Sequence, residues 1–71
     1  MIDVLSPISG SVWMIEKRPG DEVREGDMIM ILESMKMEFP VTAPCNGTVQ
    51  EVRVGEADLV EEGTVVATIS T

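Results

Sequence analysis

The apolar positions of this chain come in short bursts. Segments rich in Val, Ile and Met are interrupted by Pro-Ile-Ser-Gly at 7–10, Pro-Gly-Asp at 19–21, Glu-Gly-Asp at 25–27, Pro-Cys-Asn-Gly at 44–47 and Glu-Glu-Gly at 61–63. The stretches between these breaks are too short for helices, and Gly, Pro, Asn and Asp are turn formers. The pattern predicts strands near 2–5, 11–17, 22–23, 28–34, 37–42, 48–54, 59–60 and 65–70, with no helix.

The pattern also repeats. Val4, Pro7, Gly10, Val12, Asp21, Val23, Glu25 and Gly26 recur 37 positions later as Val41, Pro44, Gly47, Val49, Asp58, Val60, Glu62 and Gly63. Similar residues fill the gaps: Ser11 with Thr48, Ile15 with Val52, Ile29 with Val66, Leu32 with Ile69. Each half is then one unit of four strands that cannot bury its apolar face alone and must pack on its counterpart. The expected fold is all-β, an eight-stranded arrangement with pseudo-two-fold symmetry, spanning residues 1–71 as one domain.

The repeat resolves which side of a strand faces inward. Met28 to Leu32 is continuously apolar, but in its counterpart, 65–69, only one parity is apolar throughout. Alternation along a strand then assigns Met28, Met30 and Leu32, with Val65, Ala67 and Ile69, to the core, together with Val4 and Val41. In the second strand Val12/Val49 and Ile15/Val52 are apolar in both halves yet differ in parity, which a β-bulge reconciles. Trp13, aligned with Gln50, reads as core or half-buried packing. Gly10, Gly26, Gly47 and Gly63 read as turn residues with permissive φ/ψ.

Lys36 is the central residue, with 35 residues on either side. The connection between two symmetric halves lies near their pseudo-axis, and the positions equivalent to Lys36 fall just beyond both chain ends. Lys36 is therefore expected at one pole and the two termini together at the other. Pattern alone places no turn here: a tight hairpin favours Asn or Gly at positive φ, and apolarity would run one strand from Met28 to Phe39.

Charge and composition narrow the chemistry. Thirteen acidic residues against five basic ones give a formal charge of −8, which disfavours nucleic acid, whose binding rests on neutralising phosphates. No apolar run approaches the ~20 residues that span a bilayer. Residues 1–5 carry an acid and no basic stretch, so no secretory leader is expected, and the chain reads as cytoplasmic or as a domain of something larger. The one cysteine, Cys45, cannot form an intramolecular disulfide. With no histidine, the usual zinc sites and His-based catalysis are excluded, so neither a metal site nor a catalytic residue is assigned.

Around the centre the chain reads Glu33-Ser34-Met35-Lys36-Met37-Glu38. This segment resembles the attachment motif of the biotinyl domains of biotin-dependent carboxylases, where a lysine sits between two methionines. The resemblance extends over nearly the whole chain, through Pro-Gly-Asp at 19–21, Glu-Gly-Asp at 25–27 and Ala-Pro at 43–44. It implies a flattened barrel of two four-stranded sheets (a barrel-sandwich hybrid) with the lysine on an exposed hairpin. It also implies a non-catalytic carrier, with biotin joined to Lys36 by a biotin protein ligase and Met35 and Met37 flanking the site. A biotin carboxylase would load the carboxyl group, and a carboxyltransferase would pass it to an acceptor, as in acyl-CoA carboxylases. Ser34 departs from the alanine most common in the family, and the protruding thumb of some acetyl-CoA carboxylase carriers is missing.

Two other readings remain open. A lipoyl carrier shares the fold, but such domains typically have Asp before the lysine and Ala after it, where Met35 and Met37 stand here. An unmodified interaction module on the same barrel explains the repeat but not the Met-Lys-Met. Met35 and Met37 themselves read equally as gap fillers or as recognition residues. Glu33 and Glu38 read as solvated hairpin ends, and Lys17 as an ordinary surface lysine.

Overall fold

A computed structural model describes all residues, Met1–Thr71. It contains eight strands: β1 (Ile2–Leu5), β2 (Gly10–Ile15), β3 (Glu22–Val23), β4 (Met28–Ser34), β5 (Met37–Thr42), β6 (Gly47–Val52), β7 (Leu59–Val60) and β8 (Val65–Ser70). There is no helix, and hence none long and apolar enough to cross a membrane. β2 and β6 each start one residue earlier and stop two earlier than the apolar pattern suggested, the same displacement in both halves.

The strands form two antiparallel four-stranded sheets, ordered β1-β8-β6-β3 and β5-β4-β2-β7. Moving each label forward by four converts one sheet into the other, so the pseudo-symmetry is complete. Each sheet takes two strands from either half of the chain. Neither half can therefore form its own sheet, and the units interlock rather than merely stack.

The core has the same symmetry. Its buried hydrophobic residues are the pairs Val4/Val41, Val12/Val49, Val23/Val60, Ile29/Val66, Met30/Ala67 and Leu32/Ile69, plus Ala43. Ser6, the counterpart of Ala43, is also buried, and its hydroxyl donates to the Ile8 carbonyl at 2.6 Å. Ile8 and Cys45, another pair, pack against this cluster while partly buried.

One facing assignment is wrong at its end. Met28 is 40% exposed and Val65 only partly buried, whereas Ile29 and Val66 are fully buried. The cause is a pair of symmetric bulges. Met28 pairs with Thr42 and Met30 with Val41, so Ile29 is an extra residue opposite β5; Val66 is extra in the same way opposite β1. The inserted residue turns inward and reverses the parity of the position before it. The bulge inferred in the second strand is also present, at Trp13 between Val12 and Met14 and at Gln50 in β6. Trp13 is 46% exposed.

The two ends of the molecule are now defined. β1 and β8 hold the termini side by side, with Ile2 opposite Ile69. From there β1 runs toward Leu5, and by Gly10 the chain has reached the base of the β4–β5 hairpin, against Glu33 and Ser34. In a body 33 Å long and 17 Å across, the termini and the hairpin occupy opposite ends.

The hairpin of β4 and β5 as a candidate attachment site

β4 and β5 form the ladder on which the candidate site stands. It runs through Leu32 opposite Phe39 and Glu33 opposite Glu38, and closes with Ser34 opposite Met37. Only Met35 and Lys36 remain to turn the chain, with φ of 52° and 63°. Two consecutive positive φ values are the mark of a type I′ hairpin turn, whose twist matches that of the flanking strands. Neither residue is a type that favours this region, and L-residues adopt it at a cost of roughly 1–2 kcal/mol each. The buried β4 side chains Ile29, Met30 and Leu32, paired against β5, hold the turn in place against that cost.

The side chains at the turn point away from the barrel. Met35 is 92% and Met37 60% exposed, so neither fills a gap in the core, and that reading is set aside. Lys36 is exposed, and its amine has no hydrogen bond or ion pair. Glu33 and Glu38 are exposed and directly opposite, a like-charge pair of the kind that weakens a ladder. Lys17, by contrast, is partly buried just past β2, near Ile15, Arg18 and Pro19.

The hairpin is braced from below. Gly10 in β2 lies so close to β4 that a Cβ there would stand 2.5 Å from the Glu33 carbonyl oxygen and 3.3 Å from the Ser34 Cβ. Gly47 meets the Ser70 carbonyl oxygen in the same way. These two glycines are strand residues required by close backbone approach, which corrects their assignment as turn residues. The turn glycines are Gly20, Gly26 and Gly63, with φ of 97°, 91° and 87°.

The geometry defines a class: a rigid, interlocked β-barrel that holds one unpaired lysine clear of its surface on a fixed two-residue turn. Residues 3–69 match the family model described as biotin-requiring enzyme, and the chain belongs to this biotin/lipoyl attachment family. It is 41% identical over 63 residues to the biotin/lipoyl attachment protein of Bacillus subtilis, covering 89% of this chain and 86% of that one. It is likewise 41% identical over 68 residues to the biotinylated protein TB7.3 homolog of Mycobacterium leprae, covering 96% of each. Among solved structures, the Kluyveromyces lactis urea carboxylase superposes with a TM-score of 0.91 at 35% identity, over 96% of this chain but 6% of that one. The lipoyl domain of the 2-oxoglutarate dehydrogenase complex from Azotobacter vinelandii superposes at 0.81 with 26% identity, covering 100% of this chain and 98% of the domain.

Proposed function

We propose that Lys36 is the covalent attachment point for biotin, and that residues 1–71 act as one non-catalytic biotin carboxyl carrier domain. The observation that carries this reading is the position of Lys36: exposed, without an ionic partner, on a two-residue turn fixed at the end of the barrel. Biotin, when bound, supplies a site that takes up and releases a carboxyl group. The protein's part is to supply the amine and the arm. Nζ, as the neutral amine, attacks the carboxyl carbon of biotin activated by ATP as a mixed anhydride with AMP. The C–N bond forms, AMP leaves, and the original ammonium has given up two protons and its charge. The resulting neutral arm can enter an enzyme's active site without burying an ion. The strained turn keeps its base stationary while the lysine stem swings.

The partners implied are a biotin protein ligase, a biotin carboxylase and a carboxyltransferase, with an acyl-CoA carboxylase system as the setting and the cytoplasm as the compartment. Two relatives that the chain spans for most of their length, a biotin/lipoyl attachment protein and a biotinylated protein, support the carrier reading. The lipoyl reading shares the fold and has a structural neighbour in its favour, but Met35 and Met37 do not match the lipoyl pattern. Two incubations test the choice. A biotin protein ligase with biotin and ATP is expected to modify the domain, and a lipoyl ligase with lipoate and ATP is expected to leave it unchanged. The biotinylated domain should then accept labelled carboxylate from bicarbonate when a biotin carboxylase and ATP are present. Modification by the lipoyl ligase alone would transfer the assignment to a lipoyl carrier.

A further inference from the structure

The two sheets match strand for strand, but their outer faces do not. On the sheet that carries Lys36, Met14 in β2, Ile31 in β4 and Pro40 in β5 are register partners, forming one row across three strands. Their neighbours Leu32, Met30 and Val41 are buried, so by alternation this row faces outward. Met14 and Pro40 are exposed and Ile31 is partly so; Trp13, at the bulge beside Met14, is half exposed. The equivalent row on the other sheet is Glu51, Thr68 and Asp3. There Arg53 pairs with Glu51 at 2.8 Å, a hydrogen bond and charge that raise the Arg53 pKa, with Asp3 contributing at longer range. At this place the other sheet therefore carries polar residues, exposed at Glu51 and Asp3 and buried without a hydrogen-bond partner at Thr68, and this row is apolar only on the lysine-bearing sheet.

We propose that the row Met14–Ile31–Pro40 is a docking face for the ligase that acylates Lys36; this rests on the reading of Lys36 as the attachment residue. Three features select that occupant. Ile31 and Pro40 lie on the two strands that make the turn and Met14 on the adjoining β2. On the outward parity the Glu33/Glu38 pair separates the row from the turn, so a surface that receives Lys36 covers the row as it closes. The ligase alone must reach the bare lysine, whose side chain is four methylenes and a nitrogen. It must press against the barrel, whereas later enzymes meet biotin at the end of a longer arm. Finally, Glu33 and Glu38 at the rim, on a chain of charge −8, call for a partner with basic residues around an apolar ridge. A second copy is disfavoured by the same carboxylates, which a symmetric contact through this face would bring together.

The test exchanges the row for its own counterpart. Met14→Glu, Ile31→Thr and Pro40→Asp, combined, install residues that the other sheet already carries at positions 51, 68 and 3. In steady-state ligation with purified biotin protein ligase, biotin and ATP, the KM for the domain should rise roughly tenfold or more, the scale of losing a central contact cluster, with kcat little changed. Glu51→Met, on the opposite face, should leave both constants as in wild type. If the triple variant loses its cooperative melt, Met14→Glu alone carries the test on the same criterion. An unchanged KM overturns the proposal. So does an unchanged KM accompanied by lost carboxylation of the biotinylated variant, which would give the face to the carboxylase. A wild-type dimer in sedimentation that the exchange dissolves would give it to a second copy. Wild-type protein that the ligase leaves unmodified contradicts the attachment reading itself, and this face with it.

Discussion

Gly10 and Glu33 lie in contact across the β2–β4 ladder, with room for no side chain between the Gly10 α-carbon and the Glu33 carbonyl oxygen. The hairpin that bears Lys36 is therefore seated on a backbone-to-backbone contact. Gly10→Ala should force the strands apart and cost about 1–3 kcal/mol, the usual range for overpacking. Gly47→Ala, facing Ser70, should cost a similar amount. Urea unfolding of both variants checks this, and wild-type midpoints would show that the strands yield freely.

Ala57 occupies the position of Gly20 in the second half, at φ 76°. The surrounding turns are otherwise alike: Gly20 and Ala57 donate to the carbonyls of Val49 and Val12. The carboxylates of Asp21 and Asp58 accept from the amides of Arg18 and Gly55 at 2.8 and 2.7 Å. Of these two equivalent turn positions, only Ala57 carries a Cβ in the left-handed region. Ala57→Gly should stabilise the domain by about 0.5–1 kcal/mol, relief of the left-handed penalty outweighing the added freedom of the unfolded chain. In a domain this size that is a rise in Tm of roughly 2–8 °C. A lower Tm would contradict the assignment of strain.

The corrected core makes a paired prediction. Leu32→Ala, at a fully buried position, should cost ~2–5 kcal/mol. Met28→Ala, at a position 40% exposed, should stay within about 0.5–1 kcal/mol of wild type. Equal losses at the two sites would restore the simple alternation that the Ile29 bulge interrupts.

Most of this architecture was legible because the chain contains its own comparison. Strand number, order of elements and the facing of Met30, Leu32, Ala67 and Ile69 follow from aligning the halves. Met28 was misassigned because a bulge changes parity without leaving a mark in an unbroken apolar run. In the second strand, two conserved-in-repeat positions of opposite parity did expose the bulge. Gly10 and Gly47 were misread because a glycine needed for close approach looks, in sequence, like one needed for a turn. The Met35–Lys36 turn was invisible to turn chemistry, since neither residue favours positive φ. Its location came from the centrality of Lys36 and from the family resemblance.

That mismatch is itself testable. Replacing Met35→Asn and Lys36→Gly together supplies residues that a type I′ turn prefers. The variant should unfold at higher denaturant, by about 1–2 kcal/mol, while losing every capacity for attachment. No gain in stability would mean that the native turn carries no strain.

Lys36, and no other amine, is the proposed carrier of the cofactor. Of the two lysines, Lys17 is partly buried beside the barrel and Lys36 stands free at its end. Intact-mass measurement after incubation with biotin, ATP and a biotin protein ligase addresses it directly. Wild type and Lys17→Arg should each gain the mass of one biotinyl group. Lys36→Arg should gain none while keeping the wild-type melt, because arginine keeps its charge and cannot serve as the acylated amine. Biotin added to a folded Lys36→Arg variant, or wild-type protein left unmodified, would contradict the account.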